Sequence, residues 1–199
     1  SLQSLLQLPE APLRIECYDM AHLQGTDYVG SMVVLEDGLP ARREYRRFKI
    51  RTVAGNDDYA AMREVLSRRL RAYLTERDAP AEGGVADRGA GSRRATARFR
   101  YPPQLLLVDG GKGQLAVAAD VVRELGLADA IPVAALAKEH EEVYVPGSGA
   151  PVRVPRGSDA LYMLQVVRDE AHRFANAFHR ELRGRRMTRS ELDGIPGLG

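Results

Sequence analysis

The clearest pattern in the chain is an apolar run, Leu105 to Val108, that ends on Asp109 and turns through Gly110, Gly111 and Gly113 into helical periodicity. Side chains alternate across a strand, so Leu105, Leu107 and Asp109 share a face and the carboxylate closes a buried row. An earlier stretch has the same form, with Leu13, Ile15 and Cys17 alternating towards Asp19. Tyr28 to Glu36 is rich in β-formers and stops at Asp37-Gly38, a strong hairpin signal. Arg42 to Ile50 then alternates charged and apolar positions, as an edge strand with one wet face does. Three antiparallel strands are therefore predicted to open the domain.

Helical spacing follows. Gln24 to Asp27 and Gly55 to Asp58 read as turns, and Asn56, Asp57 and Asp58 all suit the cap of a helix whose stripe is Tyr59, Met62, Leu66, Leu70 and Tyr73. Leu115, Ala118, Val122 and Leu125 form a second stripe, stopped by Gly126. Val133 to Leu136 is a short buried strand, and Glu142 to Val145 with Val152 to Val154 reads as an exposed hairpin. Ser158 or Asp159 caps a long third helix with Leu161, Leu164, Ala171, Phe174 and Phe178 on its core stripe. Strands entered through crossover helices are parallel. The prediction is an α/β fold, a mixed sheet of three antiparallel strands followed by parallel ones, with flanking helices. If the strands of Asp19 and Asp109 are parallel neighbours, they lie ~4.8 Å apart, which suits carboxylates sharing ions ~3.5 to 4 Å apart.

With 199 residues the chain divides into a leader at 1–12, one domain at 13–183 and a tail at 184–199. Ala79 to Ala97, rich in Ala, Gly and Arg and without periodicity, reads as a disordered loop. A formal charge of +2 is too small to argue for nucleic acid alone, although arginines cluster after Phe99 and from Arg180 to Arg189. The lone Cys17 allows no internal disulfide and points to a reducing compartment, the cytoplasm. Ser1 to Leu13 lacks a basic leader, and no apolar run approaches spanning length, so no membrane association is expected.

Asp109 occupies the place where open α/β sheets bind ligands, beyond the carboxyl end of a buried strand. Helix-start amides at Gly110 to Gly113 favour anions. The spacing is not a P-loop, because Gly113 follows Lys112 where a Ser or Thr would hold the metal. An acid beside anion-favouring amides suggests a metal ion binding a phosphate, and a capped strand-to-helix turn explains the pattern about as well. The only lysines are Lys49, Lys112 and Lys138; the last two follow predicted strands, where a compact ammonium meets a phosphate. Lys112, Lys138, Gly110 and Gly111 are thus the candidate phosphate contacts. His172 lies off the core stripe of the third helix, in line with Arg168, Asp169 and Asn176. Glu16 falls on the strand face opposite Asp19 and outside the predicted site.

The blocks RIECYDMAHLQGTDYVGSMVV, NDDYAAMREVL, LLLVDGGKGQL, ALAKEHEEVYVPG and RDEAHRFANAFHR occur in this order between Leu13 and Arg183. Together they resemble the carboxy-terminal endonuclease domain of the UvrC family, the incision subunit of nucleotide excision repair. The resemblance implies an RNase H-like fold and a metal-dependent DNA endonuclease that cuts on the 5′ side of a lesion with Mg²⁺ or Mn²⁺. Its site, carried over, comprises Asp19, Asp109 and His172 as catalytic and metal-holding residues, with Asp58 a further acid. Its partners are damaged double-stranded DNA, UvrB and, indirectly, UvrA. Ser190 to Gly199 is similar to the start of the family's helix-hairpin-helix module, and a fragment lacking the amino-terminal nuclease domain and the UvrB-contacting segment is expected. RNase H proper uses carboxylates throughout, so His172 stands in an acid's place. Two other readings fit the residues alone: a non-catalytic nucleic-acid-binding module, and a phosphometabolite site in an unrelated α/β enzyme.

Overall fold

The computed structural model describes residues 1–22, 28–51, 57–79 and 101–193. The Gln24 to Asp27 turn, the 79–97 loop beyond Ala79, and the tail from residue 194 lie outside the described residues. Among the described residues eight strands form one mixed sheet: β1 (Arg14–His22), β2 (Tyr28–Glu36), β3 (Leu39–Pro40), β4 (Arg46–Lys49), β5 (Leu105–Asp109), β6 (Val133–Leu136), β7 (Glu142–Tyr144) and β8 (Val152–Arg153). Their order is β3-β2-β1-β5-β6-β7-β8, with β4 also on β2. β1 and β2 are antiparallel, and β1, β5 and β6 run parallel. This is the mixed α/β sheet that the alternating pattern predicts.

Among the described residues the helices are α1 (Leu2–Leu5), α2 (Asp58–Asp78), α3 (Gly111–Glu124) and α4 (Asp159–Asp193). Alternation decides which helix each strand residue meets. Glu16 bonds to Arg69 of α2, whereas Asp109, on the row of Cys17 and Leu107, meets His172 of α4. α2 and α4 therefore cover opposite faces. Leu105, Leu106, Leu107 and Val108 are all fully buried between them, which is how a central parallel strand reads as a continuous apolar run. Truncating Leu107 to alanine would cost ~2 to 5 kcal/mol by transfer and cavity terms.

Several expectations are corrected. Leu13 is 58% exposed and precedes β1, so the buried row starts at Ile15. Arg42 to Ile50 is not one strand: Arg42–Glu44 is a 3-10 turn before β4. Tyr45 and Phe48 are both buried, a spacing of three that straight alternation cannot serve. The β7–β8 hairpin is not an exposed appendage, because β7 pairs with β6 and Val143 is 1% exposed. Tyr59 is exposed, so the α2 stripe begins with Ala61 and Met62. Phe174 packs at the core's edge and Phe178 lies outside it, the Arg47 guanidinium resting 4.0 Å and 4.7 Å from their ring centres. Residues 1–12 do not act as a mere leader, since Leu2 and Leu8 are buried in the core. α4 also runs unbroken past 183 to Asp193.

Of the two caps offered for α4, Ser158 is used: the Leu161 amide donates to its Oγ at 3.2 Å. Ser158→Ala should cost ~1 kcal/mol, read as a lower denaturant midpoint at unchanged m-value.

Candidate active site

The β1–β5 pairing runs from Ile15↔Leu105 to Tyr18↔Val108, and the next residues on the two strands are Asp19 and Asp109. The carboxyl ends of two parallel strands thus bring both acids to one edge, beyond which such sheets bind ligands. Asp19 is not the last residue of its strand, because β1 continues to His22 against β2 alone. Its partner β5 has ended by then, which opens the edge.

α4 delivers His172 to the same place, its Nε2 3.3 Å from Asp109 Oδ2. α2 delivers Asp58. Asp57, not Asp58, caps that helix, accepting from the Ala60 amide at 3.0 Å. Asp58 is therefore free of capping and accepts a hydrogen bond from the Tyr28 hydroxyl. Asp19, Asp57, Asp58 and Asp109 line one cavity of about 390 Å³, with Met20, Tyr59, Gly110 and Gln114. Burial, and then the neighbouring Asp109 carboxylate, push Asp19 up from the usual carboxylate range to about 6.

Among the described residues no lysine or arginine forms an ion pair with these acids; Asp109 pairs only with His172. The crowded negative charge fits a divalent cation by sign and by donor chemistry, hard carboxylate oxygens with one imidazole. Among the described residues no three such side chains close a cage by themselves. An open set is what Mg²⁺ uses when it is bound through one or two carboxylates plus substrate phosphates.

The turn after β5 is shaped by glycine. Gly111 sits at φ +77°, where side chains are strained, and a Cβ at Gly113 would overlap the Tyr59 ring. Gly110 is the N-cap of α3 and offers no side chain to cap the first-turn amides. Of the phosphate candidates Gly110 lines the acidic cavity itself, whereas Gly111, Lys112 and Lys138 meet only Asp109 among those acids, in a neighbouring cavity. Lys112 and Lys138 line this second cavity of about 590 Å³ with His140, Arg168 and His172, and the two cavities share Asp109 and Gly110. Lys112 Nζ donates to the Gly149 carbonyl at 2.7 Å, tying the turn to the β7–β8 hairpin.

Pattern reading did not anticipate Tyr28 as the partner of Asp58, nor Arg168 and His140 as cavity residues. Arg168 stood four residues before His172, one turn away on the same side, which was the available signal. Tyr28 carried none, because the contact spans 30 residues of sequence.

The family profile described as the UvrC RNAse H endonuclease domain matches residues 3–176. The UvrABC system protein C of Acidothermus cellulolyticus is 52% identical over the whole chain, which covers 31% of that protein. That of Parafrankia sp. is 51% identical over the whole chain, covering 30% of it. The chain thus spans about a third of the length of these curated relatives. A Ciona intestinalis Endonuclease V structure in complex with DNA matches over 67% of this chain and 53% of that one, at 12% identity and a TM-score of 0.35, too slight a likeness to build on.

Proposed function

The chain belongs to the UvrC RNase H endonuclease domain family, and from that membership we propose that it hydrolyses a DNA phosphodiester, making the 5′ incision of nucleotide excision repair. The observation that carries the reading is the convergence of Asp19, Asp109 and His172 at one sheet edge, with Asp109 and His172 3.3 Å apart. The substrate is damaged double-stranded DNA, and UvrB, with UvrA indirectly, is the partner that the relatives' shared name suggests.

Asp19, Asp109 and His172 would hold Mg²⁺ or Mn²⁺, which activates water and neutralises charge on the leaving oxygen when bound. The protein's own contributions are separable. The two strand ends fix the carboxylates in register, and α4 orients the imidazole against Asp109 Oδ2. Tyr28 orients Asp58 by donating to its carboxylate. The amides at the start of α3, which its glycine N-cap leaves without a side-chain partner, would be available to a phosphate on which charge develops.

An imidazole among carboxylates suits the softer ion, whereas Mg²⁺ prefers oxygen throughout. Mn²⁺ should therefore support nicking at least as well as Mg²⁺ in wild type, and His172→Ala should narrow that difference. A nicking assay in which Mg²⁺ works and Mn²⁺ does not would count against His172 as a ligand. The binding-module reading predicts no nick with either ion.

A further inference from the structure

Beside the acidic cavity lies a larger one lined in part by a buried arginine. Arg168, 6% exposed, lines the 590 Å³ cavity with Lys112, Lys138, His140, Tyr144 and His172. Its Nη1 donates to the Ala137 carbonyl at 3.1 Å, at the end of β6. Its Nη2 is buried and, among the described residues, has no hydrogen-bond partner. Glu139 and Glu142 also line the cavity, yet no described acid forms an ion pair with Arg168. A buried guanidinium with an unmet donor is costly until an acceptor meets it, and its charge favours an acceptor that is anionic.

The geometry points to a substrate-positioning site: we propose that the Arg168 guanidinium, with Lys112 and Lys138, binds a phosphate of the DNA strand next to the one attacked. The inference rests on the endonuclease reading for its substrate. It adds a residue and a second contact point to that reading. The two cavities share Asp109 and Gly110, so a strand whose scissile phosphate faces Asp19 and Asp109 continues across the mouth of the second cavity. A planar guanidinium offering donors to phosphate oxygens suits that role, and the lysines add point charges. Tyr144 offers a ring beside Lys112, whose Nζ is 5.2 Å from its centre, a surface on which a flanking base can stack.

The test is binding of a short oligothymidylate to the whole chain in EDTA, at several salt concentrations, for wild type, Arg168→Gln and Arg168→Lys. Arg168→Gln should weaken binding roughly tenfold, as loss of a charge-assisted hydrogen bond does. It should also lower the log-log salt slope by about 0.7, one phosphate contact on a single strand. Arg168→Lys should recover the slope and part of the affinity. A purely structural arginine would lower the melting temperature in both variants and leave the slope alone, which would overturn the proposal. So would equal affinity in wild type and Arg168→Gln, or wild type that does not bind the probe. Because binding is read without metal, it separates from cutting. If no divalent cation supports nicking and the Arg168 effects persist, the anion site stands and the endonuclease reading falls. If nicking is intact and Arg168→Gln binds like wild type, the anion site alone falls.

Discussion

Replacing Asp19 or Asp109 with asparagine is expected to reduce divalent-cation-dependent incision by ~10³-fold or more, the equivalent of about 4 kcal/mol of lost charge stabilisation. The amide keeps the volume and removes the anion. Stability should not fall with activity, because each acid disfavours the other: burial and Asp109 already push Asp19 up to about 6. Asp109→Asn removes that repulsion, so its melting temperature should equal or exceed the wild-type value, the pattern expected where an active site is strained for function. Rates from saturating single-turnover nicking, set beside thermal unfolding of the same samples, check both halves. Incision at the wild-type rate by either variant would falsify the assignment of these carboxylates.

The second large effect concerns stability. Arg69 and Glu16 are both fully buried, with Arg69 Nη2 2.8 Å from Glu16 Oε2. Arg14 Nε reaches the same carboxylate at 2.9 Å and the Tyr18 hydroxyl donates to it at 2.5 Å. Arg69→Met should destabilise the chain by ~3 to 5 kcal/mol, because a buried carboxylate loses its main counter-charge. The double change Glu16→Gln with Arg69→Met should recover most of that loss, since the amide keeps an acceptor for Tyr18 and carries no charge. Burial alone would raise Glu16, but Arg69 and Arg14, with bonds from Arg69 and Tyr18, outweigh it and hold its pKa below the ordinary 4.5. A depressed folded pKa contributes stability that is complete above the unfolded value and is lost as pH falls through the folded one. The wild type should therefore lose stability on acidification below about 4.5, and Glu16→Gln should lose less. Denaturant titrations at neutral and acid pH read this directly.

How far the sequence carried depends on the range of the contact. The strand pairs, their parallel sense and the acids at their ends follow from alternation and from crossover length, both local signals. Asp19 and Asp109 were legible because each ended an apolar row. His172 was legible as a border residue of α4, though nothing local told that its partner would be Asp109. The Glu16 network was hidden for a physical reason: a polar residue on the second face of a strand reads as solvent-facing until α2 is known to cover it. Arg69 sat in an arginine-rich helix, where one buried arginine looks like its exposed neighbours. Tyr45, whose hydroxyl donates to Glu170 of α4 at 2.6 Å, broke the alternation of the supposed edge strand for a partner equally distant in sequence.

In the proposed function Asp19, Asp109 and His172 together hold a divalent ion used to cut DNA. Titrating Mn²⁺ into wild type, Asp19→Asn, Asp109→Asn and His172→Ala, and following free Mn²⁺ by its electron paramagnetic resonance signal, tests it most directly. Wild type should bind Mn²⁺ saturably, both asparagine variants should lose that binding, and His172→Ala should bind more weakly. Equal Mn²⁺ binding by all four proteins would contradict it.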